Sequence, residues 1–125
     1  MELKDGIYIS KINKIFYKQT STGKDMICVE FEITDEESEN FKQKFYMNQF
    51  INTDFGKKLA KDFYYSLQTG LEFDGTIFDT EESINNIGKE VLEKTKLMEF
   101  DIKQTTKGVF KTFQVVGIYD LVPEE

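Results

Sequence analysis

Two strand-like runs open the chain, residues 6–18 and 26–34, joined by the polar stretch Thr20-Ser21-Thr22-Gly23-Lys24-Asp25. The second run alternates cleanly. Ile27, Val29, Phe31 and Ile33 fall on one face and Cys28, Glu30, Glu32 and Thr34 on the other, as a half-buried antiparallel strand requires. In the first run Ile7 and Ile9 share one parity and Ile12 and Phe16 the other, so the apolar stripe changes face partway. A strand does this without burying Lys11 or Lys14 only by bending or bulging. Long, bent first strands belong to small closed barrels, in which one strand serves two sheets.

Alternation resumes over residues 41–48, with Phe41, Phe45 and Met47 on one side and Lys42, Lys44, Tyr46 and Asn48 on the other. This predicts a third strand, paired with the second across the acidic run Asp35-Glu36-Glu37-Ser38-Glu39. From Thr53 the period lengthens: Phe55, Leu59, Phe63 and Leu67 recur every four residues, the pattern of an amphipathic helix capped by Asn52 or Thr53 and stopped near Gly70. Residues 71–78 set Leu71, Phe73, Ile77 and Phe78 around Asp74-Gly75, a turn signal that fits a small hairpin. Asp79 and Glu82 then mark the start of a second helix with Ile84, Ile87, Val91 and Leu92 on its apolar face; Gly88 weakens it by about 1 kcal/mol relative to alanine. The chain closes with Met98, Phe100 and Ile102 alternating against Glu99, Asp101 and Lys103, a turn at Thr105-Thr106-Lys107-Gly108, and a last strand over residues 109–121.

Strand, strand, strand, helix, inserted segment, strand, strand is the order of the OB-fold. The expected architecture is therefore all-β dominated with minor α. It is a five-stranded antiparallel OB-like Greek-key barrel over residues 1–125, with a helix between strands three and four, a second short helix in an insertion at about 71–94, and a short acidic tail at 122–125. The rival arrangement is an open antiparallel sheet packed on one helix. In an OB barrel the ligand lies across strands two and three, between the first and last hairpin loops.

Composition narrows the function. The chain has no histidine and no tryptophan, and all 16 of its basic residues are lysine. Lack of histidine removes the usual general base, the common nucleophilic triads and most transition-metal sites together, so catalysis is not expected, and neither is a cofactor. The single cysteine, Cys28, has no partner thiol and reads as a small half-buried residue. Asp35 to Glu39 lacks the glycine-punctuated spacing of a calcium loop and reads as a solvated hairpin loop. No apolar stretch approaches the roughly 18 residues of a membrane span, and the N-terminus has no signal-peptide pattern; a soluble, cytoplasmic protein is expected.

The net charge of −7 is unevenly spread: residues 1–24, 41–69 and 102–121 are net positive, whereas 25–40 and 70–101 carry most of the acids. Lys42, Lys44 and Tyr46 alternate along strand three, Lys18 and Lys24 flank the first loop, and Lys107, Phe110 and Lys111 occupy the last hairpin. Ammonium groups meet phosphates and exposed rings stack on bases, so these residues are the candidate groove for single-stranded nucleic acid, with Tyr17 as a further stacking candidate. Taken singly, each has an ordinary reading, since lysines beside strands solubilise and an outward tyrosine often covers a neighbour. Phe31, Phe45, Phe55, Phe63 and Phe100 are assigned to the core.

Three short motifs add a resemblance. Asp5-Gly6-Ile7-Tyr8 leads into a long strand, Thr20-Ser21-Thr22-Gly23-Lys24 precedes an alternating one, and Ile87-Gly88-Lys89 comes before the final hairpin. Over residues 5–121 the chain resembles phage-encoded single-stranded DNA-binding proteins of the OB-fold type, found with replication and recombination genes. The resemblance implies sequence-tolerant binding of displaced single strands in a host cytoplasm, with replication or recombination proteins as further partners. The acidic composition and the lack of arginine and tryptophan depart from that pattern. A second class uses the same facts in reverse: an acidic phage-encoded inhibitor of a host defence protein, of DNA-mimic or anti-CRISPR type, presenting Asp35 to Glu39 and the acidic insertion. An exposed barrel edge leaves strand pairing with a second copy open.

Overall fold

The change of face expected in the first strand takes the form of a β-bulge at Asn13. A computed structural model of the chain describes residues 3–121, so the acidic tail assigned to residues 122–125 lies outside the described residues. β1 (Gly6–Gln19) pairs with β2 (Asp25–Ile33) in a register that slips between Ile12 and Lys14. Ahead of the slip Tyr8, Ser10 and Ile12 face inward; beyond it Ile15 and Tyr17 do, opposite the buried Val29 and Ile27. Apart from Ile12, the inward set is thus the opposite of the one that hydropathy suggested, in which Ile7, Ile9 and Phe16 form the apolar stripe. Ile7 is 58% exposed, and Phe16 is turned outward.

The bulge also divides the labour of β1. Its first half pairs on the other side with β4 (Met98–Lys107), from Gly6 opposite Gln104 to Ser10 opposite Phe100. Its second half leaves β4, and the exposed edge is covered by α2 (Glu81–Thr95). Asn85 Oδ1 accepts the backbone N–H of Tyr17 at 3.1 Å. A Cβ at Gly88 would lie 2.9 Å from the Ile15 carbonyl oxygen, so the glycine that weakens the helix is the residue that lets it close on the strand. Thr80 caps α2, its side chain accepting the Ser83 N–H, one residue later than the expected Asp79 start.

The sheet order is β3-β2-β1-β4-β5, all antiparallel, where β3 is Lys44–Phe50 and β5 is Phe110–Asp120. This is the OB-like order. The sheet curls until its two edges approach, and the rings of Phe45 on β3 and Phe113 on β5 stack at 5.7 Å. Among the described residues no ladder joins β3 to β5, so the sheet stays open along that seam, against which α1 (Asp54–Ser66) packs. The interior is filled by Ile27, Val29, Phe31 and Ile33 of β2 and Phe100 and Ile102 of β4, with Tyr64 and Leu67 from the α1 side and Val91 from α2. No helix among the described residues is long and apolar enough to cross a membrane.

Several boundaries differ from expectation for identifiable reasons. β3 begins at Lys44 rather than at residue 41, because Lys42 adopts a left-handed φ of 71° that turns the chain; Phe41 is exposed instead of inward. α1 ends before Gly70, because Gln68 is left-handed at φ 53°. Residues 71–78 form no hairpin: Asp74 Oδ1 accepts the Thr76 N–H at 2.7 Å in a local turn, while Phe73, Ile77 and Phe78 are buried and rings 73 and 78 stand 5.3 and 6.3 Å from Tyr64. The last turn is Gly108-Val109 with Gly108 at φ 66°, the position a two-residue hairpin reserves for glycine, so Thr105 to Lys107 belong to β4.

Candidate nucleic-acid interface

Register alone assembles the outward face of β1, β2 and β3. Read across the strands, its rows are Lys11–Glu32–Lys44, Lys14–Glu30–Tyr46, Phe16–Cys28–Asn48 and Lys18–Met26–Phe50. The β2 residues Met26, Cys28 and Glu30 are buried even though they point outward, because longer side chains on both neighbouring strands close over them. Those longer side chains form the exposed rim. Phe16, Tyr46 and Phe50 are 36%, 49% and 47% exposed, interleaved with Lys11, Lys14, Lys18 and Lys44.

The two carboxyl groups in this face are locally occupied. Tyr46 OH donates to Glu30 Oε1 at 2.9 Å. The bulge residue Asn13 donates its amide to Glu30 Oε2 at 3.2 Å and to Glu32 Oε1 at 3.1 Å, and Lys11 Nζ lies 3.6 Å from Glu32 Oε2. The Asn13 bond, with Lys11 and Lys44 nearby, holds the Glu32 carboxyl below its ordinary range. The bond to Glu30 pushes the Tyr46 phenol above its own, so it remains a neutral donor at neutral pH. One bulge therefore does two things: it reverses the facing of β1, and it supplies the amide that ties down both carboxyls. Four lysines against two engaged carboxyls leave this face cationic on a chain of net charge −7.

Of the residues singled out by sequence, Lys18, Lys44 and Tyr46 come together here. Lys24 sits in the β1–β2 turn just past the Lys18 row, its backbone N–H bonded to Thr20 Oγ1 at 3.0 Å. Lys42 does not join the strand-three row; it precedes β3 in the turn, with its ammonium 5.4 Å from the centre of the Phe41 ring. Lys107 and Phe110 are the closing pair of the β4–β5 hairpin, where Phe110 is exposed beyond the start of β1. Lys111 pairs with Thr106 and lines the cleft between β3, α1 and β5 together with Asn48 and Phe50, around the β3 edge from Tyr46. Tyr17 is not a stacking ring. It faces inward, its hydroxyl donates to Asp25, and that bond pushes its pKa up to about 12.

Phe16, Phe50, Lys11 and Lys14 also belong to the face, beyond the residues that the sequence pattern singles out. By parity Phe16 groups with Ile12, since the change of face in hydropathy falls ahead of both, and Phe50 lies past the expected end of strand three. Phe55, assigned to the core, is 70% exposed, and Leu59 is 49% exposed. The buried side of α1 is Ala60, Phe63 and Tyr64, rotated from the four-residue stripe, and Phe55 and Leu59 line the cleft of about 680 Å³ between α1 and the open seam. No protein-family model matches the chain, and no match is found among curated proteins.

Proposed function

We propose that this chain is a binding module for single-stranded DNA, without a catalytic role, that holds the strand across the outward face of β1, β2 and β3 with little sequence preference, in a phage replication or recombination setting. The observation that carries the reading is the set of three part-exposed rings, Phe16, Tyr46 and Phe50, interleaved with four lysines on one face. A base stacked on an aromatic ring gains about 1–3 kcal/mol whatever its identity, and each phosphate met by a cation releases counterions. Tyr46 and Phe50 stand four residues apart on one strand, roughly 13 Å, and Phe16 lies two strands over, roughly 10 Å. A single strand crossing this face diagonally meets rings in succession, with Lys14 and Lys18 on one flank and Lys44 on the other. Glu30 positions the Tyr46 ring through its hydroxyl and is not a phosphate contact.

Titration with oligo-dT at low salt, followed by tyrosine emission, tests the proposal; no tryptophan masks the signal. Quenching is expected, with log affinity falling by about 0.7 per phosphate contact for each decade of salt, up to a slope near 3 for four lysines. No binding at about micromolar protein and about 50 mM salt contradicts the proposal and favours the acidic-inhibitor reading.

A further inference from the structure

Among the described residues, three stretches of sheet edge lack a strand partner, and the fold treats them differently. The second half of β1 is covered: Asn85 takes the Tyr17 N–H and Gly88 lies over the Ile15 carbonyl. At the seam, Gly56 of α1 sits so close on the Phe50 carbonyl that no Cβ would fit, which covers the end of β3. Among the described residues, the β5 edge receives no such cover. Its hairpin closes with Lys107 opposite Phe110, so alternate β5 residues bond to β4 and the intervening Phe113 and Val115 turn their N–H and C=O toward the cleft. Beneath that edge lies the apolar cavity of about 680 Å³ floored by Met47 and Phe63 and walled by Phe50, Phe55 and Leu59. Gln49, in the same lining, has a buried Oε1 with no hydrogen-bond partner.

We propose that this cleft takes a short extended segment of a partner protein, added as a strand along the Lys111–Val115 edge of β5. Main-chain bonds to Phe113 and Val115 complete the sheet, alternate apolar side chains of the segment enter between Met47, Phe55 and Leu59, and a donor of the segment meets Gln49 Oε1. The edge spans five residues, roughly 13–16 Å, which matches a segment of four to five residues. Lys111 lines the hairpin end of the cleft, so an acidic flank on the segment is complementary there. The occupant is a peptide and not a small apolar molecule because the site offers strand bonding as well as an apolar wall. This inference does not rest on the nucleic-acid reading, although Asn48 and Phe50 border both surfaces.

The test is a backbone-amide NMR titration of the full chain with the peptide acetyl-Asp-Glu-Val-Thr-Val-Thr-Val-amide, alongside the same peptide N-methylated at alternate residues. Binding at about millimolar peptide is expected, with shifts at Phe113, Val115 and Leu59 and hydrogen exchange at Phe113 and Val115 slowed at least about tenfold. The N-methylated peptide should lose this effect. Leu59→Asp, at an exposed helix position, should weaken the peptide at least about tenfold and leave oligo-dT affinity within about twofold. The proposal is overturned by equal shifts with both peptides, by shifts confined to Tyr46 and Lys14, by no shifts at all, or by a peptide-free dimer in sedimentation with Phe113 already protected. Oligo-dT binding is measured separately, so either proposal can fail alone.

Discussion

The two walls of β3 present opposite chemistry. Outward, toward Lys14 and Glu30 in its row, Tyr46 stands in a polar field of lysines and tied carboxyls; at the seam, Met47, Phe55 and Leu59 form an apolar trough under an uncovered strand edge. The first suits a polyanion whose bases stack and whose phosphates need cations, the second a backbone that needs strand bonds and apolar cover. Phe50, at the end of β3, borders both. One strand thus presents two kinds of surface because its successive side chains alternate between faces. The acidic run at residues 35–39 joins β2 to β3 just beyond the Lys11–Glu32–Lys44 row, so the charge of the face is read from its own rows and not from the chain's net charge.

The sharpest way to break this comparison is to remove all three rings. Phe16→Ala, Tyr46→Ala and Phe50→Ala combined should lower oligo-dT affinity by about 100-fold or more, read by anisotropy of a labelled oligonucleotide, with the circular dichroism spectrum retained. A loss under about fivefold would mean that stacking does not occur here. Lys14→Ala with Lys18→Ala comes next. It should reduce the salt slope of binding by about 1.4 and weaken dT and mixed-sequence oligonucleotides alike. Tyr46→Phe separates ring from hydroxyl. Oligo-dT affinity should stay within about twofold while the melting temperature falls by a few degrees, on the order expected for one lost bond to a buried carboxyl.

The smallest effect concerns Glu32. Its folded pKa is depressed, so its contribution to stability is present above the unfolded value and is lost as the pH falls through the folded one. Glu32→Gln should therefore lower the melting temperature slightly at pH 7, leave it nearly unchanged below about pH 3, and so flatten the decline between about pH 5 and pH 3. An unchanged acid limb would show that the Asn13 and Lys11 contacts do not operate in solution.

Much of this fold is legible from alternation, because β2 is buried on its inner face without exception from Ile27 to Ile33 and α1 and α2 begin at capping threonines. The bulge was legible as a phase change; its side was not. Tyr8 and Ser10 take the inward places that Ile7 and Ile9 would claim on hydropathy alone, since pairing with Ile102 and Phe100 of β4 sets the facing. Lys44 and Tyr46 could be placed because they lie in the regular part of β3, whereas Lys42 could not, since a left-handed residue in a non-glycine position leaves no mark in the pattern. Phe55 and Leu59 read as core because periodicity reports an apolar stripe and not whether a neighbouring strand arrives to cover it. Here β5 stops short of β3, and the stripe lines a cleft.

Mapping oligo-dT onto the backbone amides tests the central claim most directly. Shifts concentrated at Phe16, Cys28, Tyr46, Asn48 and Phe50, fading as salt rises, are the predicted result; shifts centred on the acidic loop or on α2, with these five residues unmoved, would contradict it.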